Sequence, residues 1–231
     1  MRRTTWIVLA LAGLWLAGCA SAPSGPVAIT QIDGDVTGYD GAVDVAFEGR
    51  FSPVLSVVAT GTLDAASATF GAELGAVPPT DLQTIEEHLA PLLSKGGTCD
   101  LSVTPDDLSI GVLSTFVDLD DEARLQLSIH DPWSNDPPTV GDTAYHLVFA
   151  TRDGGLTGSC TSVHGHTRTY AMPLARGWNT VAVRVMAVEG TTATATRWRT
   201  ETPASDAVWW YEALLFKKLV APHEGRAADS P

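Results

Sequence analysis

From Val27 onward the chain alternates apolar and polar positions with a period of two, broken every few residues by Gly, Pro, Asp or Asn. That is the pattern of half-buried strands joined by tight turns, because successive side chains of an extended strand point to opposite faces. It predicts strands at about Val27–Asp35, Ala42–Gly49, Leu55–Leu63 and Ala66–Leu74, the last two joined at Asp64-Ala65. Four strands are too few to close a core unaided, so they are expected to pack on strands later in the chain. After Thr98 the alternation resumes, predicting strands at about Cys99–Val103, Ser109–Leu119, Arg124–His130 and Thr143–Thr151. Further strands are expected at about Leu156–Val163, Thr167–Met172, Trp178–Val188 and Thr191–Thr200, with Glu189-Gly190 making a hairpin of the last pair.

Between Pro79 and Gly96 the period changes to that of a helix. Thr80 with Gln83 three residues on reads as a capping box. Leu82, Ile85, Leu89 and Leu92 then recur on one face, Glu86 and Glu87 take the wet side, and Gly96-Gly97 suits the C-terminus. Pro91 is expected to kink this helix or end it early. Asp206–Leu219 reads two ways. Ser205 as a cap puts Val208, Tyr211, Leu215 and Leu219 on one helical face, whereas Val208-Trp209-Trp210-Tyr211 consists of strand formers; the strand is preferred. The expected fold is therefore all-β: an antiparallel β-sandwich or partly open barrel with one short covering α-helix. Its expected parts are a four-stranded β subdomain (27–80), the helix (81–95), an antiparallel β domain (96–220) and a disordered tail (221–231).

The first residues are of another kind. Arg2 and Arg3 precede an uncharged apolar run, Trp6 to Leu16, which is too short to span a bilayer as a helix and suits a secretory signal. Leu16-Ala17-Gly18-Cys19 comes next, and resembles the lipobox of bacterial lipoprotein precursors. The resemblance implies a signal peptide at 1–18, cleavage before Cys19, and lipidation of its thiol, with 19–26 a flexible tether. Ala20 stands where that family places an aspartate for inner-membrane retention, which favours the outer membrane or cell surface. Two or three acyl chains contribute about 0.8 kcal/mol per buried CH₂, enough for stable anchoring. The implied location is the cell envelope, facing periplasm or exterior.

The segment GDVTGYDG, with VVATGTLDAASATFGAEL after it, resembles a carboxypeptidase regulatory-like or transthyretin-like β-sandwich module over residues 27–78. Ala65-Ala66 occupies the turn where that family often has a glycine. Removing Cys19 from three cysteines leaves Cys99 and Cys160. An even remainder in an oxidising compartment suggests one disulfide; two buried free thiols are the alternative.

Charge narrows the partners. The whole chain carries −13, and removal of residues 1–18 takes two more arginines and no acid. That argues against nucleic acid, for which Arg197-Trp198-Arg199 is too small a basic group. His164-Gly165-His166 falls in a predicted turn and offers two imidazoles, but no third ligand at a recognisable spacing. Asp118, Asp120, Asp121 and Glu122, and separately Asp33, Asp35 and Asp40, read as solvated acidic turns; neither matches a calcium loop. No GxSxG, HExxH, SxxK or phosphate-cradling glycine loop is present.

The reading that results is a non-catalytic envelope lipoprotein with no cofactor. It is held to the membrane through Cys19 and offers its loops to an envelope protein or glycan. The alternative is a glycan-binding or glycan-cleaving module built on Trp133, Asn135 and Asp136 in the loop Asp131–Asp142.

Overall fold

A computed structural model of the chain describes residues 28–51, 56–118, 123–132, 134 and 136–213. The first half holds β1 (Gln31–Thr37), β2 (Val45–Arg50), β3 (Val57–Asp64), β4 (Thr69–Leu74), β5 (Gln83–Thr84) and α1 (Ile85–Leu93). Next come β6 (Thr98–Thr104), β7 (Ser109–Leu113), β8 (Phe116–Asp118), β9 (Ala123–Ser128) and β10 (Thr143–Ala150). The last are β11 (Gly154–Thr161), β12 (Thr167–Leu174), β13 (Gly177–Glu189), β14 (Thr192–Thr200) and β15 (Val208–Ala213). The fold is all-β, with one α-helix among the described residues.

Seven strands close on themselves in the order β15-β1-β4-β3-β2-β8-β9 and back to β15. From β9 the pairing runs on through β10 into an extension, β13-β14-β12-β11-β6, with β7 paired to β10 and β5 to β7. The first four strands do pack on later ones, since β8, β9 and β15 complete their ring. The pairing is antiparallel except at β1–β15 and β12–β14, which are parallel.

Closing the ring lets one face of each strand pack inward. Phe70 lies at its centre, with ring centroids 4.8 Å from Trp209, 5.1 Å from Phe116 and 5.9 Å from Phe47. Gly61 makes room for it, because a Cβ there would lie 2.5 Å from the Phe70 ring. A second apolar cluster, including Leu108, Val148, Met172 and Val181, lies on one face of the extension beneath α1.

Several element boundaries depart from the sequence pattern. The helix starts later than expected: its cap is Thr84 rather than Thr80. The Thr84 hydroxyl accepts from the Glu87 N–H, and the Glu87 carboxylate accepts from the Thr84 N–H at 2.8 Å. Pro79–Asp81 forms a short 3-10 turn instead. Pro91 stays inside α1, which ends two residues later, where Gly96 adopts a φ of +87° and the Gly97 N–H donates to the Leu92 carbonyl. The strand expected over Ser109–Leu119 is two strands, because β7 pairs with β10 and β8 pairs with β2 and β9. Within Asp206–Leu219, the described part is a strand from Val208. The β3–β4 turn is longer than Asp64-Ala65: the Asp64 carboxylate accepts from the N–H groups of Ala66 and Ser67, and Ala68 takes a φ of +51°.

Cys99 and Cys160 are directly opposed on β6 and β11 and form a disulfide across 61 residues of sequence. Chain-entropy arithmetic for such a loop gives about 4 kcal/mol. Replacing both cysteines by alanine is therefore expected to lower unfolding stability by several kcal/mol in urea titrations. Phe70→Ala is expected to cost about 3–5 kcal/mol in the same assay, through the cavity left inside the ring.

Candidate functional site

The most site-like concavity comes from incomplete closure of the barrel. β15 is matched to β1 only at Val36 and Thr37, whereas it is matched to β9 along its whole length. At the other end, the Ile29 N–H donates to the Trp178 carbonyl at 2.8 Å, tying the lead-in of β1 to β13. Between these two ties, the edge of β1 that faces away from β4 has no strand partner among the described residues. The gap is a cleft of about 750 Å³, inside the size range of ligand pockets.

Each wall has its origin in strand alternation. Ile32 lies on the inward face of β1, with Gln31 and Asp33 at the rim. Leu147 and Thr180 are register partners on β10 and β13, and Arg199 lies beyond them on β14, so one face of the extension supplies the opposite wall. Leu127 of β9 and Trp209 of β15 also line it. The segment 201–207 edges the cleft and is fastened twice: the Glu201 N–H donates to the Thr180 carbonyl, and the Ala204 N–H to the Tyr145 hydroxyl at 3.0 Å. Nine of the sixteen lining residues are apolar, and Arg199 is the one cation among them.

Trp209 is only 3% exposed, and its indole N–H has no hydrogen-bond partner among the described residues. The same indole edge lies against β1, since a Cβ on Gly34 would come within 3.3 Å of its Nε1. An enclosed donor without an acceptor is uncommon and costs about 1–3 kcal/mol. It marks this end of the cleft as polar-deficient.

The residues singled out from sequence fare differently. Cys19, Trp133, Asn135, Asp120, Asp121 and Glu122 lie outside the described residues. Asp136 is exposed, and its N–H donates to the Ser134 hydroxyl at 3.3 Å. The loop around it is held at its base by Asp142, which accepts from the Thr139 N–H and hydroxyl and pairs with His130 at 3.3 Å. Burial alone would raise the Asp142 carboxyl, but these Thr139 hydrogen bonds and the His130 charge outweigh it and hold it below the usual range. His164 and His166 do sit in the β11–β12 turn, with ring centroids 6.4 Å apart. Among the described residues no three His, Cys, Asp or Glu side chains converge as a metal site. Asp118 ends β8, and Asp40 is exposed beyond β1.

Asp33 and Asp35 project from the outer face of β1 into a shallow trough on the barrel wall, shared with Asp44, Glu48, Asp64 and Glu73. Part of this carboxylate set is already engaged: Asp64 and Asp44 accept turn N–H groups, and Glu48 pairs with Arg50 at 2.8 Å. Of the tryptophans, Trp178 and Trp209 are core residues. Trp209 and Trp210 point to opposite faces, and Trp210 donates to the Ser128 carbonyl at 3.3 Å.

Sequence reasoning missed the cleft. Its residues come from β1, β9, β10, β12, β13, β14, β15 and the 201–207 segment, far apart in the chain, and those on strands each read locally as an ordinary strand position. No protein-family model, curated protein or solved structure matches the chain.

On the other face of the extension, His146 stands edge-on to Trp198 at 5.1 Å, its buried Nδ1 without a hydrogen-bond partner among the described residues. Burial pushes its pKa down to about 4. The unfolded chain therefore binds a proton that the folded chain refuses between about pH 6.5 and pH 4. Stability from this residue is complete above about pH 6.5, falls as pH drops, and levels off below about pH 4, by about 3 kcal/mol in all. In His146→Gln, that slope in urea titrations from pH 7 to pH 4 is expected to flatten.

Proposed function

We propose that this chain is a non-catalytic lipoprotein of the cell envelope. It is tethered through a lipidated Cys19 and binds a ligand in the cleft between β1 and the extension. The observation that carries the tether is the sequence Leu16-Ala17-Gly18-Cys19 behind a basic start and a short apolar run. The Cys99–Cys160 disulfide fits the same compartment, since such bonds persist where the surroundings are oxidising. The cleft supports binding because it joins a largely apolar lining to one cation, Arg199, and two carboxylates, Asp33 and Glu201, at a break in an otherwise paired barrel. In architecture, we take the ectodomain as a seven-stranded barrel with an edge-on sheet extension rather than a two-sheet sandwich. The tether then puts the cleft close to the membrane, for only nine residues separate Cys19 from Ile29 and span about 30 Å at full extension.

The test is the mass of the N-terminus. Protein purified from membranes is expected to begin at Cys19 with diacylglyceryl mass on the thiol, and Cys19→Ala is expected to leave the detergent phase. An intact Met1, or an unmodified Cys19 terminus, would overturn the tether.

A further inference from the structure

Three arginines come together beside the cleft although the chain is acidic overall. Arg184 of β13 is the direct cross-strand partner of Arg197 of β14, and Arg199 lies two residues further along the same face. Strand geometry places the first pair about 4.8 Å apart at the backbone and Arg199 about 7 Å beyond Arg197. Like charges directly opposed across a strand pair are destabilising, so the arrangement calls for a counter-charge. The described residues do not supply one. None of the three arginines makes an ion pair within 4.0 Å among them, although acids outnumber bases 27 to 14 in the chain. Arg184 reaches only the Thr143 hydroxyl, at 3.4 Å. Glu201, the next residue on that face past the end of β14, leaves Arg199 unpaired as well.

Arg199 also lines the cleft together with Ile32, Leu147 and Trp209, and it shares a face of the extension with Leu147. A charged row thus opens directly onto an apolar lining. Guanidinium groups are suited to carboxylate and phosphate oxygens, which they grip through paired N–H donors. Two carboxylates, Asp33 and Glu201, line the same cleft, so an anionic head group has to sit on the side where Arg199, Arg197 and Arg184 lie. Charge more than about 8 Å away is screened by physiological salt.

From this we propose that the cleft takes a single-chain amphipathic anion, its apolar chain against Ile32, Leu127, Leu147 and Trp209 and its carboxylate or phosphate on Arg199 and Arg197, with Arg184 behind them. The inference rests on the cleft being the binding site and adds the chemistry of what enters it. It also gives a purpose to Arg197-Trp198-Arg199, which is too small a basic group for nucleic acid but becomes part of a three-residue row when β13 brings Arg184 alongside.

The experiment is photo-crosslinking on the whole lipidated chain in nanodiscs, with labelled peptides mapped by mass spectrometry. The probes are diazirine-bearing decanoate, decyl phosphate and uncharged decyl maltoside. Both anions are expected to label peptides carrying Ile32, Leu127 or Leu147 at least tenfold more than the maltoside does; their relative yield separates carboxylate from phosphate. Arg197→Ala/Arg199→Ala, at exposed positions, is expected to cut that labelling at least tenfold with an unchanged circular dichroism spectrum. Arg152→Ala, which removes an exposed charge that does not line the cleft and pairs with Asp107, is expected to change it less than twofold. Equal labelling by the maltoside would overturn the anionic head group and leave the cleft reading standing. Labelling of cleft peptides by none of the probes would overturn both.

Discussion

Closure of the barrel by β15 is the constraint on which the rest depends. This strand is inserted between β1, which it joins in parallel, and β9, which it joins antiparallel. Its Trp209 fills the space that Phe70 and Phe116 leave inside the ring. Without it, β1 and β9 would each present an open edge, and the aromatic cluster would face solvent. Because β15 is the last described strand, the barrel depends on a contact between opposite ends of the described chain, and folding has to bear the entropy of that long loop.

The same strand explains the cleft. Its register reaches only the last two residues of β1, while the first residues of β1 are drawn toward β13 by the Ile29–Trp178 bridge. β1 is thus held at both ends, and along one edge between them it has no partner among the described residues. A break of that kind in a closed sheet opens a cleft, here lined by Ile32, Leu127 and Trp209 of the ring and by Leu147 of β10, without disturbing the ladders on either side. The enclosed indole N–H and the arginine row are local departures from full satisfaction at this cleft. Such departures gather at working sites.

The proposed roles divide between two ends of one molecule. In the proposal the N-terminal residues concern placement: Cys19 would take lipid, and the short segment after it would keep the ectodomain near the bilayer. The cleft concerns recognition, and its chemistry matches what a bilayer can deliver, a chain with a charged end. The disulfide belongs to neither. It joins the outermost strand β6 to β11 and secures an edge that would otherwise open first.

Much of the fold was legible along the chain because alternation is a local property. Strands such as Thr143–Ala150 and Thr192–Thr200 carry their period within a few residues, and Gly190 marks its own turn with a φ of +59°. The capping box was legible in kind and misplaced by four residues, since Thr80 with Gln83 and Thr84 with Glu87 both offer a hydroxyl acceptor and a second side-chain acceptor three residues on; only the pairing of Gln83 with Ile110 commits that residue to β5. The pairing of Cys99 with Cys160 came from parity alone. Which strand lies beside which was beyond the reach of sequence. The break between β7 and β8, the parallel entry of β15, the gap along β1 and the meeting of Arg184 with Arg197 all depend on partners remote in the chain. Local alternation sets which face a side chain takes, and only the closed sheet sets what that face meets.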